Sequence, residues 1–326
     1  MTDSTPHTAR QEPLGTPFGY RSSADDVLAE HDLTGRRAVV TGGYSGLGIE
    51  TVRALTARGA TAVVPARRPA AAAEALADVD GVEVHPLDLS DLDSVAAFAR
   101  ALREDGRPVD LLINAAAVMA TPEGRTAQGW ETQFGTNHLG HFALVGGVAP
   151  LLTPGARVVS YSSIGHFRSP VRFEDLGLDE EEYDPWVAYG QSKSANALFA
   201  VGLDARADAG VHAYSVHPGG IMTELQRHMS TEEKTARGWI DADGNPNPLF
   251  KTPAQGAATA LWAATAPELE SRGGVYCEDC DVAALVADDT TDVRAGGVKH
   301  WAVDPAAADR LWALSVEATG VEPFAS

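Results

Sequence analysis

From Arg36 onward the chain repeats one unit: a short, unbroken apolar run, a turn, then a longer amphipathic or alanine-rich segment. "RAVVT" reads as a first strand and passes through a glycine turn into "GIETVRALTARG", a helix ended by Gly59. "ATAVVPA" with "PAAAAEALADV", and "VEVHPLDL" with "SDLDSVAAFARALRED", repeat the unit. The last of these helices is expected to open at Ser90, with acidic residues in its first turn. "VDLLINAA", a long helix over "GWETQFGTNHLGHFALVGGVAPLL", then "GARVVSYSS", a helix bearing Tyr189, and "VHAYSVHPG" bring the count to six strands. Strands that are apolar throughout are buried on both faces, and helical crossovers make their sheet parallel. The expected fold is therefore α/β, a single doubly wound parallel sheet of Rossmann type with helices on both faces. Its ligand belongs at the C-terminal ends of the strands. No linker breaks the rhythm, so residues 24–326 are expected to form one domain. Residues 1–23, polar and rich in Pro and Thr, are expected to be a mobile arm.

A net charge of −20 argues against nucleic acid and anionic membrane as partners, because both need a basic face. The longest apolar run, Phe142 to Leu152, is too short to span a bilayer, and the N-terminal stretch has no apolar signal-peptide core. The expectation is a cytoplasmic protein acting on a small molecule. Cys277 and Cys280 form a lone C-x-x-C, too few thiolates for a four-cysteine zinc site; no metal is expected, and the two read as incidental thiols.

The turn after the first strand reads "TGGYSGLGIE". Gly42, Gly46 and Gly48 stand between a strand and a helix, with Tyr44, Ser45 and Leu47 among them. That placement suits a pyrophosphate, which would meet free N–H groups and the positive end of the helix dipole. At the end of the second strand, where an NAD-binding chain of this type places a carboxylate for the ribose, this chain has Arg67 and Arg68. Two guanidiniums suit a 2′-phosphate, so NADP is the expected cofactor. Asp88, ending the third strand with Leu89 beside it, is placed to meet the adenine edge.

In "AYGQSKSANALF", Tyr189 and Lys193 are four residues apart on a helix and point the same way. Taken alone the pair could be two solvated polar tips.

Six segments, "TGGYSGLG", "DLLINAAAVM", "FGTNHLGHF", "RVVSYSS", "YGQSK" and "VHPGGIMT", resemble in content and order the short-chain dehydrogenase/reductase family. "SSIGH", "FEDLGLDEEEYDPWVAYGQSKSAN" and "GGVYCEDC" are similar to its retinol-dehydrogenase-like and WW-domain-oxidoreductase-like branch, with light-dependent protochlorophyllide reductases nearby. The resemblance implies a tetrad of Asn137, Ser163, Tyr189 and Lys193. Tyr189 would be the general acid/base, its pKa lowered by Lys193; Ser163 would hold the substrate oxygen; Lys193 would also hold the nicotinamide ribose; Asn137 would support a water chain. It further implies cofactor contacts from Asn114, Ala115 and Ala116 after strand four, and from Pro218, Gly219 and Thr223 in "VHPGGIMT". Trp186, Met222, Leu225, Met229 and Trp239 fall in segments the family uses as a substrate wall. His138, His141, His166 and His217 read as packing or structural residues.

One departure is visible: Asn114-Ala115-Ala116-Ala117 stands where the family has N-N-A-G, which implies somewhat weaker cofactor binding. The implied activity is NADP(H)-dependent hydride transfer to or from a bulky hydrophobic ketone, aldehyde or alcohol. The alternatives are C=C or C=N reduction at the same site, or a non-catalytic NADP-binding sensor. A homo-oligomer is compatible with the family.

Overall fold

Apolar strands covered on both faces organise the chain, as the computed structural model shows for residues 11–324 apart from 181 and 209. Eight strands form one sheet in the order β3-β2-β1-β4-β5-β6-β7-β8. They are β1 (Arg37–Thr41), β2 (Thr61–Ala66), β3 (Val82–Pro86), β4 (Val109–Asn114), β5 (Leu152–Tyr161), β6 (His212–His217), β7 (Val275–Glu278) and β8 (Asp281–Val282). All neighbours pair in parallel except β7 and β8. The helices are α1 (Gly46–Ala57), α2 (Pro69–Ala75), α3 (Leu92–Asp105), α4 (Gly140–Val148), α5 (Pro185–Asp204), α6 (Pro253–Thr265) and α7 (Pro305–Thr319), with shorter turns of helix between them.

Alternate residues of each strand feed opposite cores. Val40 and Val64 join Val52 and Leu55 of α1 and Trp262 of α6 on one face. Val39 and Leu112 join Phe98 and Leu102 of α3, Phe142 of α4 and Phe199 of α5 on the other. Every residue of β1 is buried, which is why the strand carries no polar alternation.

Three local expectations need correction. The helix after β3 begins one residue later than Ser90: Asp91 is its cap, accepting from the Asp93 N–H, while Ser90 donates to Asp88 instead. The long helix before β5 is not uniform. Thr132–Phe134 is α-helical, Gly135–Leu139 is a π-helical turn, and α4 follows.

The third correction concerns the N-terminal arm. Residues 1–10 lie outside the described residues, but from Gln11 the segment is docked. Gln11 is 1% exposed. Its amide accepts from the Tyr276 N–H at 2.9 Å and donates to the Tyr276 and Ala283 carbonyls at 2.8 and 2.7 Å, in the manner of a neighbouring strand. The Asp281 carboxylate then accepts from the N–H groups of Leu14 and Gly15 at 2.7 and 2.9 Å. Polar composition concealed this segment because its fixation is polar.

β7, β8, α6 and α7 had no counterpart in the sequence expectations. β7 and β8 are joined by a two-residue turn in which Asp279 and Cys280 both have positive φ, 51° and 60°. This is the turn that matches strand twist, here without the glycine that usually signals it.

Candidate active site

The chain leaves β1 toward β2 and β3, then returns to place β4 on the other side of β1. A crevice opens where the order reverses, beyond the C-terminal strand ends. It holds a cavity of about 1150 Å³, larger than a drug-sized ligand alone requires.

One end is built by the glycine turn. Gly42 has φ 67°, and a Cβ there would lie 3.0 Å from the Ala116 Cα, so β1 and the segment after β4 meet only because the side chain is absent. A Cβ on Gly48 would lie 2.2 Å from the Gly42 carbonyl oxygen. These glycines let the first turn of α1 sit directly over the strand end. Ser45 caps α1 without a side-chain hydrogen bond, so the N–H groups of Gly46 and Leu47, both residues that line the cavity, have no side-chain cap. Thr223 closes over this turn, 3.4 Å from where a Gly46 Cβ would stand.

Tyr44, Ser45, Leu47, Arg67, Arg68, Asp88, Leu89, Ala115, Ala116, Pro218 and Gly219 line the same cavity. Arg67 and Arg68 are exposed, and their guanidiniums make no ion pair or hydrogen bond among the described residues. Asp88 also accepts from the Ser90 N–H and hydroxyl at 2.9 and 2.6 Å, so it shapes a turn while facing the cavity. These features fit a dinucleotide phosphate: uncapped N–H groups, a cradle that any Cβ would fill, and unengaged guanidiniums at the β2 end.

Asn114 departs from expectation. Its side chain is 1% exposed and donates to the Ser160 hydroxyl at 3.1 Å, tying β4 to β5 rather than entering the cavity.

At the other end, α5 places Tyr189 and Lys193 on one face beside Ser163, which ends the segment after β5. The backbone of Gly165 makes room for the tyrosine: a Cβ there would be 2.8 Å from the ring. Lys193 Nζ lies 5.5 Å from the Tyr189 ring centroid and donates to the Tyr161 carbonyl at 2.9 Å. Burial pushes Lys193 down to about 7. Burial also pushes the Tyr189 phenol up to about 12, and the Ser163 hydroxyl draws it only partly back. In the protein alone desolvation governs the tyrosine, and Ser163, not Lys193, is the group that draws its pKa down.

Asn137 sits in the π-helical turn and does not line the cavity. Its amide clamps the backbone of Val118, accepting from the N–H and donating to the carbonyl, both at 2.9 Å, and donates to the Ser192 hydroxyl at 3.0 Å. π-Turns recur at functional sites, and this one links the β4 segment to α5. His141, one turn on, bridges the Asn137 carbonyl and the Thr41 hydroxyl, each at 2.9 Å. The Thr41 hydroxyl in turn accepts from the Ala116 N–H at 3.1 Å. Sequence reading placed His141 among packing residues and missed this connection, which depends on a non-α register that composition does not signal.

Burial holds His138, His141, His166 and His217 neutral. His138 and His217 are pushed down to about 3, and His141 and His166 to about 4. Lys251 was not anticipated: its stem passes under Gly219, 2.8 Å from where a Cβ would stand, and its ammonium meets Asp279 at 2.6 Å. Cys277 and Cys280 are buried and free, with thiols pushed up by desolvation.

The outer wall carries aromatic rings in sequence. Trp186 meets Tyr189 edge-on at 6.4 Å, Trp239 meets Trp186 at 5.9 Å, and Phe250 meets Trp239 at 6.2 Å. Leu225 lines the cavity, and Met229 packs in the same cluster with Met119 and Tyr189. Among the described residues no helix is long and apolar enough to cross a membrane.

The family model described as short chain dehydrogenase matches residues 36–234. A Streptomyces lividans protein named "Probable oxidoreductase" is 49% identical over 291 residues, covering 86% of this chain and 96% of that one. Retinol dehydrogenase 12 of Mus musculus is 37% identical over 299 residues, covering 89% and 88%. Among solved structures, an uncharacterized protein from Mycobacterium Paratuberculosis superposes with a TM-score of 0.71 at 34% identity, over 93% of this chain and 99% of that one. The Pseudomonas aeruginosa RhlG/NADP active-site complex superposes with a TM-score of 0.58 at 25% identity, over 76% and 95%. Matched in sequence along most of its length and in fold by such proteins, the chain belongs to the short-chain dehydrogenase/reductase family of oxidoreductases.

Proposed function

We propose that the chain is an NADP(H)-dependent reductase of bulky hydrophobic ketones or aldehydes, or the corresponding alcohol dehydrogenase. The observation that carries this reading is the convergence of Tyr189, Ser163 and Lys193 on one cavity whose far end presents Arg67 and Arg68. Gly42, Gly46 and Gly48, with the first turn of α1, would hold the pyrophosphate. The two arginines would hold the 2′-phosphate, and Pro218, Gly219 and Thr223 would close over the nicotinamide. Bound NADPH would supply the hydride that a carbonyl carbon accepts.

The protein's own residues manage the proton. Tyr189, kept protonated by burial, donates its phenolic proton to the carbonyl oxygen, so that carbonyl plus hydride plus proton gives the alcohol. Ser163 donates a hydrogen bond to that oxygen and stabilises the charge developing on it. The phenolate left behind faces the Lys193 ammonium, which also holds the ribose. Asn137 acts on position: it fixes Val118 and α5 relative to each other.

The test is consumption of NADPH and, separately, NADH with a panel of bulky ketones, aldehydes and enones. The reading expects carbonyl turnover with NADPH and at least about tenfold lower kcat/KM with NADH, the loss of roughly one charge-assisted contact. Turnover of enones alone would replace it with C=C reduction. Binding of NADPH without turnover of any carbonyl would count for a sensor.

A further inference from the structure

The outer wall of the cavity is cationic in a chain of net charge −20. Arg237 lies with its guanidinium carbon 3.9 Å from the Trp186 ring centroid, and Arg168 lies 5.9 Å from the same ring. Both line the cavity, as does Arg227. Among the described residues Glu233 is the carboxylate paired with this group, and Glu224 also lines the cavity beside Arg227. Glu233 accepts from Arg237 Nε at 3.2 Å and from the Trp186 indole N–H at 3.1 Å. That contact fixes the indole and uses one edge of Arg237, leaving the two terminal nitrogens without a partner among the described residues. Arg168 makes no hydrogen bond or ion pair among them, and Arg227 donates only to the Glu224 carbonyl of its own turn at 3.1 Å.

Trp186 stands three residues before Tyr189 on α5, so both rings face the same way. A ligand whose carbonyl reaches the tyrosine must therefore pass the indole and its two guanidiniums. An aliphatic neutral substrate needs neither the ring sequence Tyr189–Trp186–Trp239–Phe250 nor guanidiniums whose terminal nitrogens have no hydrogen-bond partner. A flat ring system stacks on the former, and a carboxylate takes bidentate hydrogen bonds from the latter.

We propose that the substrate is a planar aromatic carbonyl compound bearing a carboxylate, held by Arg168 and Arg237 beside Trp186 while its carbonyl faces Tyr189. The proposal rests on the oxidoreductase reading for the identity of the reacting group, not for the anion site.

Calorimetric titration of the full-length protein, with and without NADP, tests it using 6-acetyl-2-naphthoic acid and its methyl ester. The acid is expected to bind about tenfold or more tighter than the ester at low salt, one charge-assisted contact being the minimum. That preference should shrink at high ionic strength. The Arg168→Gln/Arg237→Gln double variant should bring the acid-to-ester ratio close to unity, and Arg237→Lys should retain part of it. An ester bound as tightly as the acid overturns the proposal. So does a ratio unchanged in the double variant, or no binding of either probe. The same probes assayed with NADPH separate the two readings. Acid preference without turnover keeps the anion site and sinks the reductase; equal turnover of acid and ester keeps the reductase and sinks the anion site.

Discussion

Replacing Lys193 by methionine should make the cofactor-free protein more stable. Lys193 is 2% exposed, its ammonium makes one hydrogen bond among the described residues, and burial alone pushes it to about 7. Each unit below the ordinary lysine value of about 10.4 corresponds to about 1.4 kcal/mol, so the buried amine costs a few kcal/mol near neutrality. Methionine fills a similar channel without charge. The hydrogen bond it forfeits is worth about 1 kcal/mol. The Tyr161 carbonyl is not orphaned, because the Asn196 amide also donates to it at 2.9 Å. The balance is a gain of about 1–3 kcal/mol. At roughly 2 °C per kcal/mol for a chain this long, Tm rises by about 2–6 °C. Between about pH 7 and 10 the unfolded lysine binds more protons than the folded one, so this residue makes wild-type stability rise with pH across that window. The gap between variant and wild type should therefore narrow as pH rises. Thermal melts of both proteins from pH 7 to 10 measure it. A variant no more stable than wild type at pH 7, or a gap independent of pH, would refute the reasoning.

Other outcomes follow from the same geometry. Arg67→Ser with Arg68→Ser should weaken NADPH binding about tenfold to hundredfold, through loss of about 1.4–2.8 kcal/mol at exposed contacts, and leave NADH binding nearly unchanged, by fluorescence titration. Gly48→Ala should lower Tm by about 2–6 °C, because its methyl meets the Gly42 carbonyl; overpacking of this kind costs about 1–3 kcal/mol. Gly19→Ala, with nothing within 4 Å of the added methyl, is the control that should leave Tm in place. Gln11→Ala leaves the Tyr276 N–H and the Ala283 carbonyl without the amide they bond, and should lower unfolding free energy by about 2–4 kcal/mol in a denaturant titration.

The strand–helix rhythm made β1 to β6 legible, because double-sided burial writes itself as unbroken apolar runs. The glycine turn and the Tyr189–Lys193 pair were legible for a similar reason: their spacing fixes which way they face. What escaped the sequence depended on contacts between distant segments. Gln11 is an ordinary polar residue until β7 offers it a backbone edge. Ser90 and Asp91 are both good caps, and only the Asp88 carboxylate, by capturing Ser90, decides between them. The π-turn around Asn137 rests on glycines 135 and 140, and a Cβ on Gly140 would lie 2.3 Å from the Leu89 carbonyl oxygen. Arg168 and Arg237 are 69 positions apart and gain meaning only where Trp186 stands beside both.

The most direct test of the central claim uses NADPH carrying deuterium at the transferred position, an aromatic ketone, and mass spectrometry of the product, with Tyr189→Phe in parallel. The account predicts deuterium on the former carbonyl carbon with wild type, and a rate lower by about 10²–10⁴ in the variant, the range for loss of a general acid. Product without the label, or a variant as fast as wild type, would contradict it.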